Sequence, residues 1–174
     1  MTKYDNEYYF VRRPKGTPGM PSLTPDDNTA ERDFRFMPQS FGSDPLFFYN
    51  GLKDYQKKLG ERPLKIPPRI LFDGSNPVVD SAIREKLLNY DIPNMFLHPA
   101  VYIHDDDKWY EDYWYMTFTK QFDCWDRKKS VYYSEPMTLG GSLSYEVSQY
   151  SLSEKILDEI PVENRLLFEM GGYN

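Results

Sequence analysis

Six prolines fall between positions 14 and 45, at Pro14, Pro18, Pro21, Pro25, Pro38 and Pro45. Proline fixes its own φ and lacks an amide hydrogen, so this stretch excludes a long helix or a central strand. It predicts an irregular arm with Phe34, Phe36, Met37 and Phe41 as apolar anchors. Ahead of it, Tyr8-Tyr9-Phe10-Val11 reads as a short strand. The expected organisation is an N-terminal strand and Pro-rich arm over residues 1–62, packed on a main domain over residues 63–174. A chain of 174 residues can bury roughly 70% of its unfolded surface and needs no metal or disulfide to hold it. Aromatic residues make up 17% of it, which excludes wholesale disorder.

Beyond the arm, local patterns predict short elements. Leu46-Phe47-Phe48-Tyr49 is apolar and ends at the turn signal Asn50-Gly51. A short strand follows Arg69, and a principal helix is expected near 76–90, with Asn76 as cap and Pro77 at its first position. Val79, Ile83, Leu87 and Tyr90 would then share one core-packing face. Pro99 makes residues 95–103 an edge strand or two strands broken by a bend. Asp112 to Thr119 is the clearest strand, with Trp114, Met116 and Phe118 on one face and Tyr113, Tyr115, Thr117 and Thr119 on the other. Trp114 and Phe118 are assigned to the core, and the acidic turn before them makes the pair a β-hairpin. A second turn is expected at Asp126–Ser130, a break at Gly140-Gly141, and strands near Tyr145–Val147 and Arg165–Met170. A short helix near 152–160 would start from Ser151 with Glu154 in a capping box. The fold class is α+β with a mainly antiparallel sheet.

Residue chemistry argues against an enzyme. Of the two histidines, His98 lies in an apolar stretch and no serine or cysteine has a local nucleophile motif. The run His104-Asp105-Asp106-Asp107 lacks the alternate spacing and turn glycine of a calcium loop. Cys124 sits between Asp123 and Trp125, where the neighbouring acid raises a thiol pKa. Neither Gly16-Thr17-Pro18-Gly19 nor Gly140-Gly141-Ser142 has phosphate-loop spacing. No catalytic residue, cofactor or metal is therefore expected. A hydrolase or metal enzyme built on His98 and His104 is one rival reading, and a structural or oligomerising module is the other.

Charge narrows the partner. The formal net charge is −6, which argues against a phosphate-backbone binder. Residues 1–62 carry +1, residues 63–119 carry −4 and residues 120–174 carry −3. The acidity thus lies after residue 62, and is densest around the turn that holds Asp105, Asp106, Asp107, Trp109, Tyr110, Glu111 and Asp112. Acids beside aromatic anchors form a surface suited to a basic protein partner. The first residues hold no apolar leader and no run is long enough to span a bilayer, so a cytoplasmic protein without membrane or nucleic-acid partners is expected.

The order of elements over residues 70–170 resembles a bacterial family, once a domain of unknown function, of immunity proteins encoded beside polymorphic or secreted toxins. The resemblance rests on Phe96 to Pro99 after the helix, Tyr113 to Thr117 in the hairpin strand, and Asp123, Cys124, Asp126 and Ser130 in the following turn. Thr117 stands where the family often has a more polar residue. The family offers no catalytic residues to carry over. The resemblance implies a protein that binds and neutralises a cognate toxin; the residues themselves leave monomer and homodimer both open.

Overall fold

Alternation along Leu46–Asn50 and Trp109–Phe118 puts every second side chain on one sheet face, and these two strands frame the main body. The computed structural model describes residues 2–74, 76–139 and 142–171, so the expected break at Gly140-Gly141 lies outside the described residues. The chain divides into two compact units, one of Val11–Tyr90 and Met95–Thr119, the other of Met1–Phe10, Asp91–Asn94 and Lys120–Asn174.

The first unit is built on six strands: β1 (Leu23–Pro25), β2 (Leu46–Asn50), β3 (Ile70–Asp73), β4 (Asn76–Asp80), β5 (Met95–Ile103) and β6 (Trp109–Phe118). They form one sheet in the order β1-β2-β5-β6-β4-β3. Edges β1 and β3 approach each other, so the sheet nearly closes into a barrel. All pairs are antiparallel except β2 with β5, and the fold is α+β with a mixed sheet. The helices are short: α1 (Asp27–Ala30), α2 (Lys53–Lys58) and α3 (Ser81–Leu87).

Several expectations are corrected here. Residues 8–11 form no strand, and the first strand instead falls inside the Pro-rich stretch. Pro25 ends that strand at an edge, where a missing amide leaves no ladder bond broken. The arm is also less irregular than expected, since it contains β1 and α1 and buries Phe34 to 2% exposure. The principal helix does not begin at Asn76. Residues 76–80 are strand β4, paired with β3 on one side and β6 on the other. Gly74, at φ 59°, supplies the left-handed turn between β3 and β4. Asp80 is the true cap, its side chain accepting from the Ile83 amide at 2.8 Å. Val79 is therefore a buried strand residue, while α3 buries none of its own residues fully and Tyr90 is exposed.

Pro99 also sits differently from the expectation. β5 is one continuous strand in the middle of the sheet. It tolerates Pro99 because its pairing with β2 begins only at Ala100, so β5 is locally an edge at the proline. On β6 the tyrosine face points inward. Tyr113 and Tyr115 join Leu23, Phe34, Leu46 and Phe48 in the core, with Tyr115 stacked on Phe48 at 5.6 Å. Trp114, assigned above to the core, is only half-buried. It packs under Arg84 of α3 at 3.7 Å, and its indole N–H donates to Ser81 Oγ.

Polar groups reinforce this interior. The Tyr115 hydroxyl donates to Asp73 and accepts from Asn76 Nδ2 at 2.7 Å, while Arg35 grips Asp73 through two nitrogens.

The second unit is made of small pairings: β7 (Gln121–Phe122), β8 (Val131–Tyr132), β9 (Met137–Leu139), β10 (Ser142–Ser144), β11 (Val147–Gln149) and β12 (Glu169–Met170), with α4 (Glu154–Asp158). β8 pairs with β11, β9 with β10, and β7 runs parallel to β12. The helix expected near 152–160 is present but shorter, and Ser153 rather than Ser151 caps it. The strand expected over Arg165–Met170 shrinks to its last two residues, because Val162–Arg165 turns as a 3₁₀ helix. Its core joins Tyr4, Cys124, Leu152 and Leu157. Asp5 accepts from the Thr2 and Leu152 amides and from the Thr2 and Ser151 hydroxyls. Burial alone would raise this carboxyl, but those four donors outweigh it and hold it at about 2.

Candidate functional site

The acidic turn connects β5 to β6. The His104 amide donates to the Lys108 carbonyl at 2.8 Å, and the Asp107 amide to the His104 carbonyl at 2.9 Å. Asp107 takes φ 63°, a left-handed conformation that aspartate tolerates better than most residues. The three aspartates differ in their surroundings. Asp105 accepts from Asn50 Nδ2 at 3.1 Å. Asp106 accepts from Lys108 Nζ at 2.8 Å and meets His104 Nδ1 at 2.7 Å, and these bonds, Lys108 first, hold its carboxyl well below the usual range. Among the described residues, the side chain of Asp107 makes no hydrogen bond or ion pair, and neither do those of Glu111 and Asp112.

A β-bulge fixes what the strand after the turn displays. Ala100 faces Tyr113 and Tyr102 faces Tyr110, so β6 carries one residue more than β5 between these pairs. Tyr110 and Tyr113 therefore both turn inward, although three positions apart, and Tyr110 packs on the core beside Tyr102. Burial, then the nearby Asp105, raises the Tyr102 hydroxyl above its ordinary pKa. Glu111 and Asp112, at the bulge, are both exposed. Trp109 faces outward at 59% exposure.

The structure adds residues that local reading did not connect to the turn. Thr24, Tyr49, Ile103 and Trp109 are successive partners across β1, β2, β5 and β6. Tyr49 is 43% exposed, and Phe47 meets Trp109 edge-on at 5.7 Å. The signal was the alternation in Leu46-Phe47-Phe48-Tyr49, whose Leu46 and Phe48 are interior while Tyr49 is exposed. What local sequence does not reveal is the parallel pairing that sets β2 beside β5. The outer sheet face thus presents an aromatic strip bordered by carboxylates that, among the described residues, have no hydrogen-bond or ion-pair partner.

The histidines have separate environments. His98 Nε2 lies 3.0 Å from the Asp44 carbonyl, beside a cavity of about 60 Å³ lined by Phe34, Met37 and Thr117 among others. His104 is buried, with Nε2 on the Leu64 carbonyl at 2.8 Å and Nδ1 on Asp106. Six positions apart on an extended strand, they are about 20 Å from each other along the chain. Burial and the neighbouring Asp123 push the Cys124 thiol up to about 12, leaving it a protonated core residue. Among the described residues no group of three or more His, Cys, Asp or Glu is placed to hold a metal ion, and no helix is long and apolar enough to cross a membrane. No protein-family model matches the chain, and no curated protein matches it.

Proposed function

We propose that this protein is a non-catalytic immunity protein that neutralises a cognate bacterial toxin by binding a basic surface of it. The observation that carries the reading is the outer face of β2, β5 and β6. Trp109, Tyr49 and Phe47 stand there beside the unpaired carboxylates of Asp107, Glu111 and Asp112. An exposed Trp109 packed on a half-buried Phe47, with a sheet behind it, suits a desolvated anchor, and the acids around it suit steering of a Lys- and Arg-rich partner. Asp105 and Asp106 serve the same surface differently, by fixing the turn through Asn50, His104 and Lys108. Occlusion of a toxin needs shape, charge complementarity and aromatic anchors rather than a nucleophile.

Co-expression with the toxin-like domain encoded by a neighbouring gene tests this directly. Trp109→Ala is expected to weaken the complex by about 2 kcal/mol or more, roughly 30-fold. Affinity unchanged by that substitution, measured by titration calorimetry, removes this face as the interface.

A further inference from the structure

The strongest feature left unexplained is a groove in the same unit, about 400 Å³ in volume, between residues 13–18 and α2. One wall carries Arg13, Lys15 and the prolines Pro14 and Pro18; the other carries Leu52, Tyr55, Gln56 and Glu61, whose carboxylate is engaged by the Gly19 amide. Its loop wall is held rigidly. Arg13 donates to the carbonyls of Met20 and Pro21, and the Gly19 amide donates to Glu61. Gly19 has φ 68°, and a Cβ there would collide with the Arg62 carbonyl oxygen at 2.1 Å, so only glycine fits.

What the groove presents is cationic and rich in donors. Among the described residues, the amides of Lys15, Gly16 and Thr17 donate no hydrogen bond, and the Lys15 ammonium makes no ion pair. Arg12 stands beside this wall in sequence, and α2 adds Lys53, Lys57 and Lys58 against the single acid Asp54, all exposed, so the surroundings of the groove stay net positive. In a chain with a net charge of −6 this is a local reversal of sign.

The groove and the acidic hairpin are also physically joined. Asn50 donates to both Asp105 and Gln56, and Gln56 in turn donates to the Met20 carbonyl that also receives Arg13. This buried amide relay places the basic groove and the acidic turn at one end of the sheet. Nucleic acid would meet that turn as a repulsive neighbour. Prolines and an exposed tyrosine flank an extended chain well.

We infer that this groove holds an extended acidic segment of the protein partner, its carboxylates meeting Lys15 and the free amides of residues 15–17, while the hairpin face takes a basic part of the same partner. The inference rests on the reading of the hairpin face as the partner surface, and it makes the interface bipolar.

Two synthetic probes separate the two halves. The full chain, labelled with ¹⁵N, is titrated at near-physiological salt with a capped peptide of alternating Glu and Tyr, and separately with one of alternating Lys and Leu. The acidic peptide is expected to shift the amides of residues 15–17 and Tyr55, and Lys15→Glu is expected to weaken it about tenfold without disturbing the remaining spectrum. Tyr55→Ala is expected to weaken it as well, and the basic peptide is expected to shift the hairpin alone. If the acidic peptide leaves residues 15–17 unmoved while the basic one still shifts the hairpin, the groove proposal falls and the hairpin reading stands. If only the acidic peptide binds, the hairpin reading falls. An oligothymidine that binds the groove as tightly as the acidic peptide overturns the proposal. So does a dimer, seen by sedimentation, that Lys15→Glu dissociates, because the occupant is then a second copy.

Discussion

Two places in the molecule, one in each unit, use the same residue type in opposite ways. In the smaller-stranded unit, Asp5 is surrounded by four donors and Asp158 bonds Lys3 and Tyr4, so these carboxylates hold the N-terminal turn against α4 and its flanks. In the six-stranded unit, interior tyrosines supply much of the packing, while at the acidic turn the side chains of Asp107, Glu111 and Asp112 make no hydrogen bond or ion pair among the described residues. Net charge therefore does not locate function. A carboxylate that structure does not use is the more informative one, because holding like charges together in the free protein costs stability that only a partner returns.

The largest expected effect tests the structural side of this contrast. Asp5→Asn removes the carboxylate from its four donors and is expected to cost about 2 kcal/mol at neutral pH. The carboxyl is held at about 2 in the fold against 3.8 ordinarily, so its contribution is complete above about pH 5 and is lost as pH falls through about 2. Urea midpoints of the parent and the variant should therefore differ at pH 7 and converge near pH 2.

Tyr115→Phe comes next, at about 1–2 kcal/mol. It keeps the stacking on Phe48 but leaves Asn76 Nδ2 without its acceptor and Asp73 without one donor. A midpoint equal to that of the parent would show that this network is not holding the β3–β4 end of the sheet. The smallest effect is expected on the other side. The triple change Asp107→Asn, Glu111→Gln and Asp112→Asn should alter stability by no more than about 0.5 kcal/mol, since asparagine also tolerates the left-handed turn position. It should nonetheless slow association with the proposed basic partner at low salt and have less effect at high salt. A stability loss comparable to that of Asp5→Asn would erase the contrast between the two units.

How much of this was readable locally depended on where the deciding contact lay. The strands at residues 46–50 and 70–73, the later part of β6 from Asp112, the hairpin and the short helix α4 follow from nearby patterns, whereas β6 begins three residues earlier, at Trp109, than the expected Asp112. The helix expected from Asn76 failed because Asn-Pro before an apolar run mimics a helix start, whereas Val78 and Val79 are β-branched and find partners on both sides. Pro99 appeared to demand an edge strand because the length of β2, which ends its cover at Ala100, is not written near position 99. Trp114 looked like core because alternation cannot tell which face of β6 is interior. The acidic turn was legible as a charge cluster, but Tyr49 and Phe47 reached it only through a parallel pairing of segments about 50 positions apart.

The bulge at Glu111 and Asp112 has a further consequence for how this chain can diverge. It resets the inward–outward phase of β6, so the stretch that points at solvent is separated from the stretch that fills the interior. Asp107, Trp109, Glu111 and Asp112 can then be rewritten with little pressure on Tyr113, Tyr115 or the strands they touch, while Asp105, Asp106 and Tyr110 hold the turn and the core. A lineage facing a changing opponent would find its adjustable letters confined to one short segment, and the frame that displays them could stay as it is.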